Sequence, residues 1–176
     1  MTGTVIILTG PPGAGKSTVA RELARSYDHG VHLHTDDFWH SIVSGAIPPY
    51  DPASAEQNQT VMRVIAGAAF TYAAGGFTTV LDGIVGPWML EHFRDRGRAT
   101  DVRYVVLRPD RATTLARAQA RTAADALVDT LPIVTMWEQF ADLGAYESHA
   151  VDTGADSFDQ TLTRVRNAVT NNQFRL

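Results

Sequence analysis

The sequence predicts an α/β protein in which a five-stranded parallel sheet lies between helices on both faces, as a three-layer sandwich. Strand and helix signals alternate along all 176 residues, which is typical of parallel sheets built from strand–helix units. The stretch from Gly10 to Ser17 fits the pattern G-x-x-x-x-G-K-[ST] between the first strand and the first helix. Since the chain contains no internal repeat and no linker composition, we expect one domain, 1–176.

Five apolar, partly β-branched runs predict the strands at residues 4–9, 31–35, 77–81, 102–107 and 149–153. Start signals predict helices from Lys16, from a Ser54–Gln57 capping box, from Pro87 to about Arg96, after Asp110, from Pro132 to Gly144, and from an Asp156 cap. The inner faces of the second and last of these helices are predicted at Val61, Ile65, Ala68 and Tyr72, and at Phe158, Leu162, Val165 and Val169. Three prolines and a glycine make residues 44–52 an irregular loop.

Composition narrows the functional classes. The chain contains no cysteine, which excludes disulfides and thiolate metal sites. A net charge of −4 and a pI near 5.8 give no electrostatic footprint for duplex nucleic acid, so a nucleic-acid partner is not expected. No apolar run approaches the roughly 20 residues of a membrane span, and the N-terminus carries no signal-peptide pattern. We therefore expect a cytoplasmic protein without a membrane partner, its oligomeric state left open.

The motif Gly10-Pro11-Pro12-Gly13-Ala14-Gly15-Lys16-Ser17 predicts a phosphate-binding loop, or P-loop. Its glycines allow backbone N–H groups to face phosphate oxygens, and the helix that follows adds the positive end of its dipole. Lys16 is expected to reach the β- and γ-phosphates of ATP and Ser17 to bind Mg²⁺, with Thr18 beside them in the cofactor site. Of the 15 Lys and Arg residues only Lys16 is a lysine, which disfavours a chance match.

Carboxylates follow two predicted strands at the edge of the sheet where such folds bind ligands. Asp36 is expected to accept the proton of an acceptor hydroxyl, or to hold a Mg²⁺-bound water. Asp37 is the weaker substrate-site candidate, because successive residues do not point at one ligand. Asp82 ends a Walker-B-like run and is expected to bind Mg²⁺ directly or through water. The alternatives are helix caps for the Asp pair and an ordinary turn residue for Asp82.

Two arginines and a group of histidines complete the candidate site. Arg117 and Arg121 are four residues apart on one predicted helix face, where a lid would offer charge to the γ-phosphate. A solvated basic face is the alternative. A histidine metal site can also be drawn from His32 and His34, which share a strand face, with His40 nearby. Because the P-loop calls for Mg²⁺ and hard oxygen ligands, that site is the less favoured interpretation.

These motifs resemble those of small P-loop kinases. The stretches GPPGAGKS, HTDDFW, VLDG, R-x-x-x-R and HAVDT look like the shikimate and gluconate kinase group, and more closely like chloramphenicol phosphotransferase-like proteins, over nearly the whole chain. The resemblance implies the sheet order 2-3-1-4-5, a helical lid at about residues 115–130, and contacts from Arg117 and Arg121 to ATP. It also implies that Asp36 contacts the acceptor hydroxyl, and that Asp152, Thr153 and Gly154 lie near the adenine.

The resemblance further implies that the acceptor is bound by the segment from Trp39 to Arg63, with Arg63 a candidate for an anionic acceptor. Shikimate kinases have three glycines after the third strand, whereas here Gly83 precedes Ile84 and Val85, which argues against shikimate itself. Gly83 remains a candidate substrate contact. The sequence lacks a second clear arginine for a substrate carboxylate, which argues against gluconate as the acceptor. Aromatic residues and prolines favour a partly apolar acceptor: Phe38, Trp39, Pro48, Pro49, Tyr50 and Trp88.

The sequence therefore predicts an ATP- and Mg²⁺-dependent phosphotransferase that moves the γ-phosphate to a hydroxyl of a small molecule, of an antibiotic-like, nucleoside or sugar type. One alternative is a nucleotide or nucleic-acid-end kinase, although the acidic net charge disfavours nucleic acid. An alternative of another class is an ATP-binding switch protein with little transferase activity. The two classes differ in Asp36, which a switch does not need.

Overall fold

The computed structural model describes residues 3–94, 100–122 and 127–176. Within them, five strands form one parallel sheet in the order β2-β3-β1-β4-β5, which confirms the predicted fold class and strand order. The strands are β1 (Thr4–Thr9), β2 (Gly30–His34), β3 (Thr78–Gly83), β4 (Asp101–Leu107) and β5 (Ala150–Val151). The α-helices are α1 (Lys16–Arg25), α2 (Thr35–His40), α3 (Ala55–Ala74), α4 (Arg111–Gln119), α5 (Thr130–Glu138) and α6 (Phe158–Thr170). Short 3₁₀ helices cover Pro52–Ser54, Pro87–Phe93, Gly144–His149 and Asn172–Phe174.

The central strand β1 is buried on both faces, as its unbroken apolar run predicts. Val5 and Ile7 face a core that contains the buried side of α3, whereas Ile6 and Leu8 face a second core formed with α1 and α6. Successive side chains of a strand alternate between the two faces, so one run supplies both cores. The sheet thereby lies between two helix layers and delivers its carboxyl edge, with the P-loop, to one end of the molecule.

The long helix α3 packs by a different face from the predicted one. Val61 and Ile65 are buried as expected, but Ala68 is only partly buried and Tyr72 is 43% exposed. The other residues in the buried stripe of the helix are Met62, Ala66, Ala69, Phe70 and Ala73. Small side chains make up much of this stripe, which a search for large apolar residues overlooks. The helix ends at the predicted Gly75.

The predicted capping box of α3 is wrong. Ser54 is the N-cap residue, but its side chain makes no capping hydrogen bond and instead donates to the carbonyls of Pro49 and Asp51. Gln57 pairs with both backbone groups of Ile47, at 2.7 and 2.9 Å. The proline-rich loop thus draws both side chains away from the helix end, because its own backbone groups need partners.

The caps and bounds of the later elements also differ from the predictions. Helix α6 begins with a capping box of Ser157 and Gln160, and Asp156 instead pairs with Arg164. Phe158 is 41% exposed rather than part of the core. The segment from Pro87 is a 3₁₀ helix to Phe93, and the rest of its predicted extent includes residues 95–96, which lie outside the described residues.

Helix α5 begins at Thr130, before the predicted Pro132, and ends at Glu138, before the predicted Gly144. The fifth strand is shorter than predicted, covering only Ala150–Val151. None of the helices in residues 3–94, 100–122 and 127–176 has the length and apolar content needed to cross a membrane.

Candidate active site

The P-loop joins β1 to α1 at the carboxyl edge of the sheet. Gly13 and Gly15 both have φ of +84°, a conformation that residues with a Cβ rarely adopt. A Cβ at Gly13 would lie 2.6 Å from the carbonyl oxygen of Thr114, so the loop packs directly against α4. Gly15 is exposed, and no side chain caps the start of α1. The first N–H groups of α1 therefore have no partner within the helix, which is the arrangement that binds phosphate.

The other P-loop residues form the walls of this turn. Gly10, Pro11, Pro12 and Ala14 are buried, Ser17 is partly buried, and Thr18 is exposed. Lys16 is only 7% exposed, and its Nζ donates to the Pro11 carbonyl at 2.9 Å. The loop thus holds the ammonium group of Lys16 inside the turn through one of its own carbonyls.

The ammonium group of Lys16 lies in a low-dielectric environment beside a second cation. Burial lowers the pKa of Lys16 to about 8, with Asp82 acting to raise it and the charge of Arg121 acting to lower it further. Two cations at one end of the sheet repel each other. An anion bound between them would relieve this repulsion, as the phosphates of a nucleotide would.

Ser17 and Asp82 form the candidate Mg²⁺ site. The Ser17 hydroxyl donates to Oδ2 of Asp82 at 2.6 Å, and Asp82 is fully buried at the carboxyl end of β3. A hydroxyl and a carboxylate are the hard oxygen donors that Mg²⁺ prefers, so these residues fit the predicted metal. The buried carboxylate supplies the negative charge that such an ion needs.

Two histidines of β2 also contact Asp82. His32 Nε2 lies 2.5 Å from Oδ1, and His34 Nδ1 lies 3.2 Å from both carboxylate oxygens. Burial is the largest single influence on Asp82 and raises its pKa, but the hydrogen bonds from the two histidines and Ser17 outweigh it. The pKa of Asp82 therefore lies well below its usual value. The histidines thus contact a carboxylate, whereas the alternative prediction gave them a metal site.

Asp36 lies in the first turn of α2 rather than at the end of a strand, because β2 stops at His34. Its side chain is 60% exposed, and Oδ2 lies 3.4 Å from Nε2 of His34. The hydrogen bond from His34 lowers the pKa of Asp36 against the opposing effect of burial. The hydrogen bonds to Asp36 and then Asp82 raise the pKa of His34 to about 10. Asp36 is thus an ionised, accessible carboxylate at the end of the sheet that holds the P-loop.

Gly83 has a packing role at this position. A Cβ at Gly83 would lie 1.7 Å from Oγ1 of Thr35, the first residue of α2. The absence of a side chain lets α2 begin directly against the end of β3. That close approach holds Asp36 beside the end of β3, where Asp82 lies.

The two predicted lid arginines do not share a helix. Arg117 belongs to α4, but the helix ends at Gln119 and Arg121 lies beyond it, so the predicted common helix face is wrong. Arg117 donates to the carbonyls of Thr153 and Gly154 at 3.4 and 3.2 Å. Arg121 instead acts on Lys16 through its charge. The predicted lid includes residues 123–126, which lie outside the described residues.

The loop after β5 is held by a hydrogen bond of its own and by the contacts from Arg117. Asp152 Oδ1 accepts a hydrogen bond from the backbone N–H of Gly154 at 2.9 Å. Thr153 is fully buried, and its hydroxyl has no hydrogen-bond partner among the described residues. The contacts from Arg117 tie the loop to α4, which also packs against the P-loop.

The predicted acceptor segment is held by side chains of α3. Trp39 Nε1 donates to Oδ1 of Asn58 at 2.9 Å, and Nδ2 of Asn58 donates to the Pro49 carbonyl at 2.8 Å. Gln57 and Ser54 bind the same loop. Tyr50 is 69% exposed at its tip. The loop is therefore pinned to α3 at several points while it presents an aromatic ring to solvent.

Two further substrate candidates have weaker connections to the site. Asp37 makes no side-chain hydrogen bond or ion pair within the described parts of the chain. Arg63 is exposed on α3, donates to Thr60 at 2.9 Å, and lowers the pKa of His92 less than burial does. Arg63 thus binds a residue of its own helix and acts by charge on His92 of the 3₁₀ helix Pro87–Phe93, and it has no described contact with the P-loop.

Sequence reasoning overlooked two roles. Asn58 is an ordinary polar residue of a helix by its pattern and Gln57 was predicted to cap that helix, and only the folded loop identifies them as its anchors. For the histidines a signal was present. The alternation His32-Leu33-His34 on β2, next to the strand that carries Asp82, places two imidazoles toward one carboxylate.

The comparisons with known proteins agree with this architecture. The sequence profile of a family described as AAA domain matches residues 5–142. No curated protein matches the sequence.

Among solved structures, a sugar kinase from Janibacter sp. HTCC2649 is similar with a TM-score of 0.71 and 18% identity, over 97% of this chain and 96% of that one. The tunicamycin resistance protein of Deinococcus radiodurans is similar with a TM-score of 0.66 and 14% identity, over 95% of each chain. Shikimate kinase from Acinetobacter baumannii, in complex with shikimate, is similar with a TM-score of 0.64 and 17% identity, over 96% of this chain and 94% of that one. At these identities the similarity establishes the fold, which is that of the small P-loop kinase group.

Proposed function

Since this chain belongs to the AAA domain family and has the fold of small P-loop kinases, we propose that it transfers the γ-phosphate of ATP to a hydroxyl group of a small molecule. The observation that carries the proposal is the grouping of Lys16, Ser17 and Asp82 with Asp36. This grouping combines a phosphate-binding loop, oxygen ligands for Mg²⁺ and an accessible carboxylate at the end of one sheet. An ATP-binding switch would need the first two features but not the third.

In the proposed reaction, the P-loop N–H groups and Lys16 bind the β- and γ-phosphates. Mg²⁺ held by Ser17 and Asp82 would neutralise charge on the phosphates. Asp36 accepts the proton of the acceptor hydroxyl as its oxygen forms a bond to the γ-phosphorus. The bond from that phosphorus to the β,γ-bridging oxygen breaks, and its electron pair leaves with ADP. Every atom and charge is accounted for by acceptor, ATP and Asp36.

The two arginines take different parts in this proposal. The charge of Arg121 lowers the pKa of Lys16, and on this ground Arg121 is assigned to the transferring phosphate. Arg117 is assigned to the adenine side, because it binds the carbonyls of the loop that contains Thr153 and Gly154. Asp152 shapes the same loop through its hydrogen bond to Gly154.

The acceptor is assigned to the region between Asp36 and the proline-rich loop. Phe38, Trp39 and Tyr50 are aromatic residues of that region. Asp37 and Gly83 are assigned to its border. Pocket walls of this composition bind molecules with an apolar body and a few hydroxyl groups, such as antibiotics and nucleosides. Arg63 is proposed only for acceptors long enough to reach the outer side of α3.

ADP release measured across a panel of acceptors tests the proposal. The panel contains sugar acids, nucleosides, aminoglycosides and chloramphenicol-like antibiotics, each with Mg²⁺ and ATP, for the wild type and for Asp36→Asn. We expect one class to accelerate ADP release at least about 100-fold more in the wild type than in the variant. ATP binding, measured by calorimetry, should stay unchanged in Asp36→Asn. Tight ATP binding without acceleration by any acceptor would favour the switch.

A further inference from the structure

His34 lies between the two carboxylates to which the proposed reaction assigns separate tasks. Its Nδ1 is 3.2 Å from both oxygens of Asp82, and its Nε2 is 3.4 Å from Oδ2 of Asp36. One imidazole thus contacts the carboxylate on the metal side and the carboxylate on the acceptor side. Its side chain is 33% exposed, so it is a wall of the site and not part of the core.

The pairing of β2 with β3 and the start of α2 determine the position of His34 between the two carboxylates. His34 and Asp82 are direct partners in the parallel pairing of β2 with β3, so their side chains lie side by side on one face. His32, two residues earlier on that face, contacts Oδ1 of the same Asp82 carboxylate at 2.5 Å. Because α2 starts immediately after His34, Asp36 comes back over the imidazole within one turn.

Asp36 by itself is poorly fixed. Its side chain is 60% exposed, and Oδ1 has only a long contact of 3.4 Å with the Thr35 hydroxyl. A base on a mobile side chain loses the orientation on which proton transfer depends, and an error of about 1 Å costs about 100-fold in rate. His34 provides the second point of attachment, through Oδ2, and leaves Oδ1 with only the long Thr35 contact.

We propose that His34 is a positioning residue that holds Asp36 in a fixed relation to Asp82. The base, Asp36, and the metal-binding carboxylate, Asp82, then serve the transfer of the same phosphate. This inference rests on the proposed phosphotransferase function. His34 touches neither the acceptor nor ATP; it acts through Asp36. Partners that orient the ligands of a site in this way are typically worth about 10- to 100-fold in activity.

A double-mutant cycle tests the coupling. His34→Ala should lower kcat about 10- to 100-fold and change KM for ATP by less than about threefold, since ground-state binding of ATP does not need Asp36. In an Asp36→Asn background, His34→Ala should lower kcat by less than about threefold, because the group on which it acts is already removed. Equal losses in both backgrounds would overturn the proposal.

Two isosteric variants separate the two contacts. In His34→Gln the amide nitrogen comes near the position of Nε2, and the contact with Asp36 is retained. In His34→Asn it comes near the position of Nδ1, and only the contact with Asp82 is retained. We expect His34→Gln to recover more of kcat than His34→Asn. The reverse order would mean that His34 serves Asp82 alone, against the proposal. His29→Gln, at the residue just before β2, is the matched control and should keep the wild-type kcat.

A spectroscopic measurement decides the geometry without any acceptor. In the protein with isotope-labelled histidine, free of metal and nucleotide and at fixed pH, Asp36→Asn should shift the Nε2 resonance of His34, and Asp82→Asn its Nδ1 resonance. An Nε2 resonance that Asp36→Asn leaves unchanged would refute the proposal. If the wild type transfers phosphate but the kinetic cycle is additive, only this inference fails. If no acceptor is phosphorylated, the proposed function fails, and the resonances alone decide whether His34 joins the two carboxylates.

Discussion

Substitution of two P-loop glycines by alanine should have unequal effects on stability. Gly13 and Gly15 share a φ of +84°, so alanine at either position carries the cost of a left-handed conformation, about 1–2 kcal/mol. At Gly15 a Cβ meets nothing within 4 Å, so this cost is the whole effect. At Gly13 the Cβ would lie 2.6 Å from the Thr114 oxygen and 2.9 Å from the Ala118 nitrogen, both backbone atoms of α4.

Because backbone atoms cannot rotate away, α4 must shift to accommodate Gly13→Ala. Overpacking of this kind costs about 1–3 kcal/mol, which makes the total for Gly13→Ala about 2–5 kcal/mol. Urea unfolding of the nucleotide-free protein, followed by circular dichroism and tryptophan fluorescence, gives both free energies of unfolding. Equal destabilisation by the two variants would refute the packing of the P-loop against α4 described above.

Three other measurements follow from individual contacts. The pKa of His34 is raised to about 10 from 6.5, so its stabilising contribution is complete below pH 6.5 and is lost as pH rises through 10. Without metal, the stability difference between wild type and His34→Ala should therefore shrink over that range, and a difference constant with pH would contradict it. Ser54→Ala should lower the free energy of unfolding by about 1–3 kcal/mol, because the buried Ser54 hydroxyl donates to two carbonyls. The control Ser41→Ala, at an exposed hydroxyl, should lower it by less than about 0.5 kcal/mol. Similar losses for the two variants would contradict this prediction. In steady-state kinetics, Arg117→Ala should raise KM for ATP about 10-fold or more and Arg121→Ala should lower kcat about 100-fold, and exchanged effects would reverse the two assignments.

The sheet and the P-loop were predictable because their signals are local and strong. An unbroken apolar run before a glycine-rich turn determines β1, and the position of Lys16 determines the start of α1. The face of α3 was less predictable, since its buried stripe includes three alanines, whose burial depends on how closely neighbouring elements approach. The predicted cap at Ser54 failed because the proline-rich loop directly before the helix competed for the same hydroxyl.

The candidate site was predictable residue by residue but not in its connections. The sequence indicated Ser17 by the P-loop motif and Asp82 and Asp36 by their places after predicted strands, and the structure brings Ser17 and Asp82 together at 2.6 Å. The bridging position of His34 depends on the register between β2 and β3, and no local pattern encodes register across 48 residues of separation. The contact of Arg117 with the loop after β5 is equally long-range, which is why it could not be foreseen.

The destination of the γ-phosphate tests the central claim most directly. ATP labelled in its γ-phosphate is incubated with Mg²⁺, the protein and the acceptor that most accelerates ADP release, and the products are separated and identified by mass spectrometry. The account predicts that the label appears on a hydroxyl group of the acceptor with the wild type, and that Asp36→Asn slows its appearance at least about 100-fold while ATP is still bound. Label found only in inorganic phosphate or remaining in ATP would contradict the account.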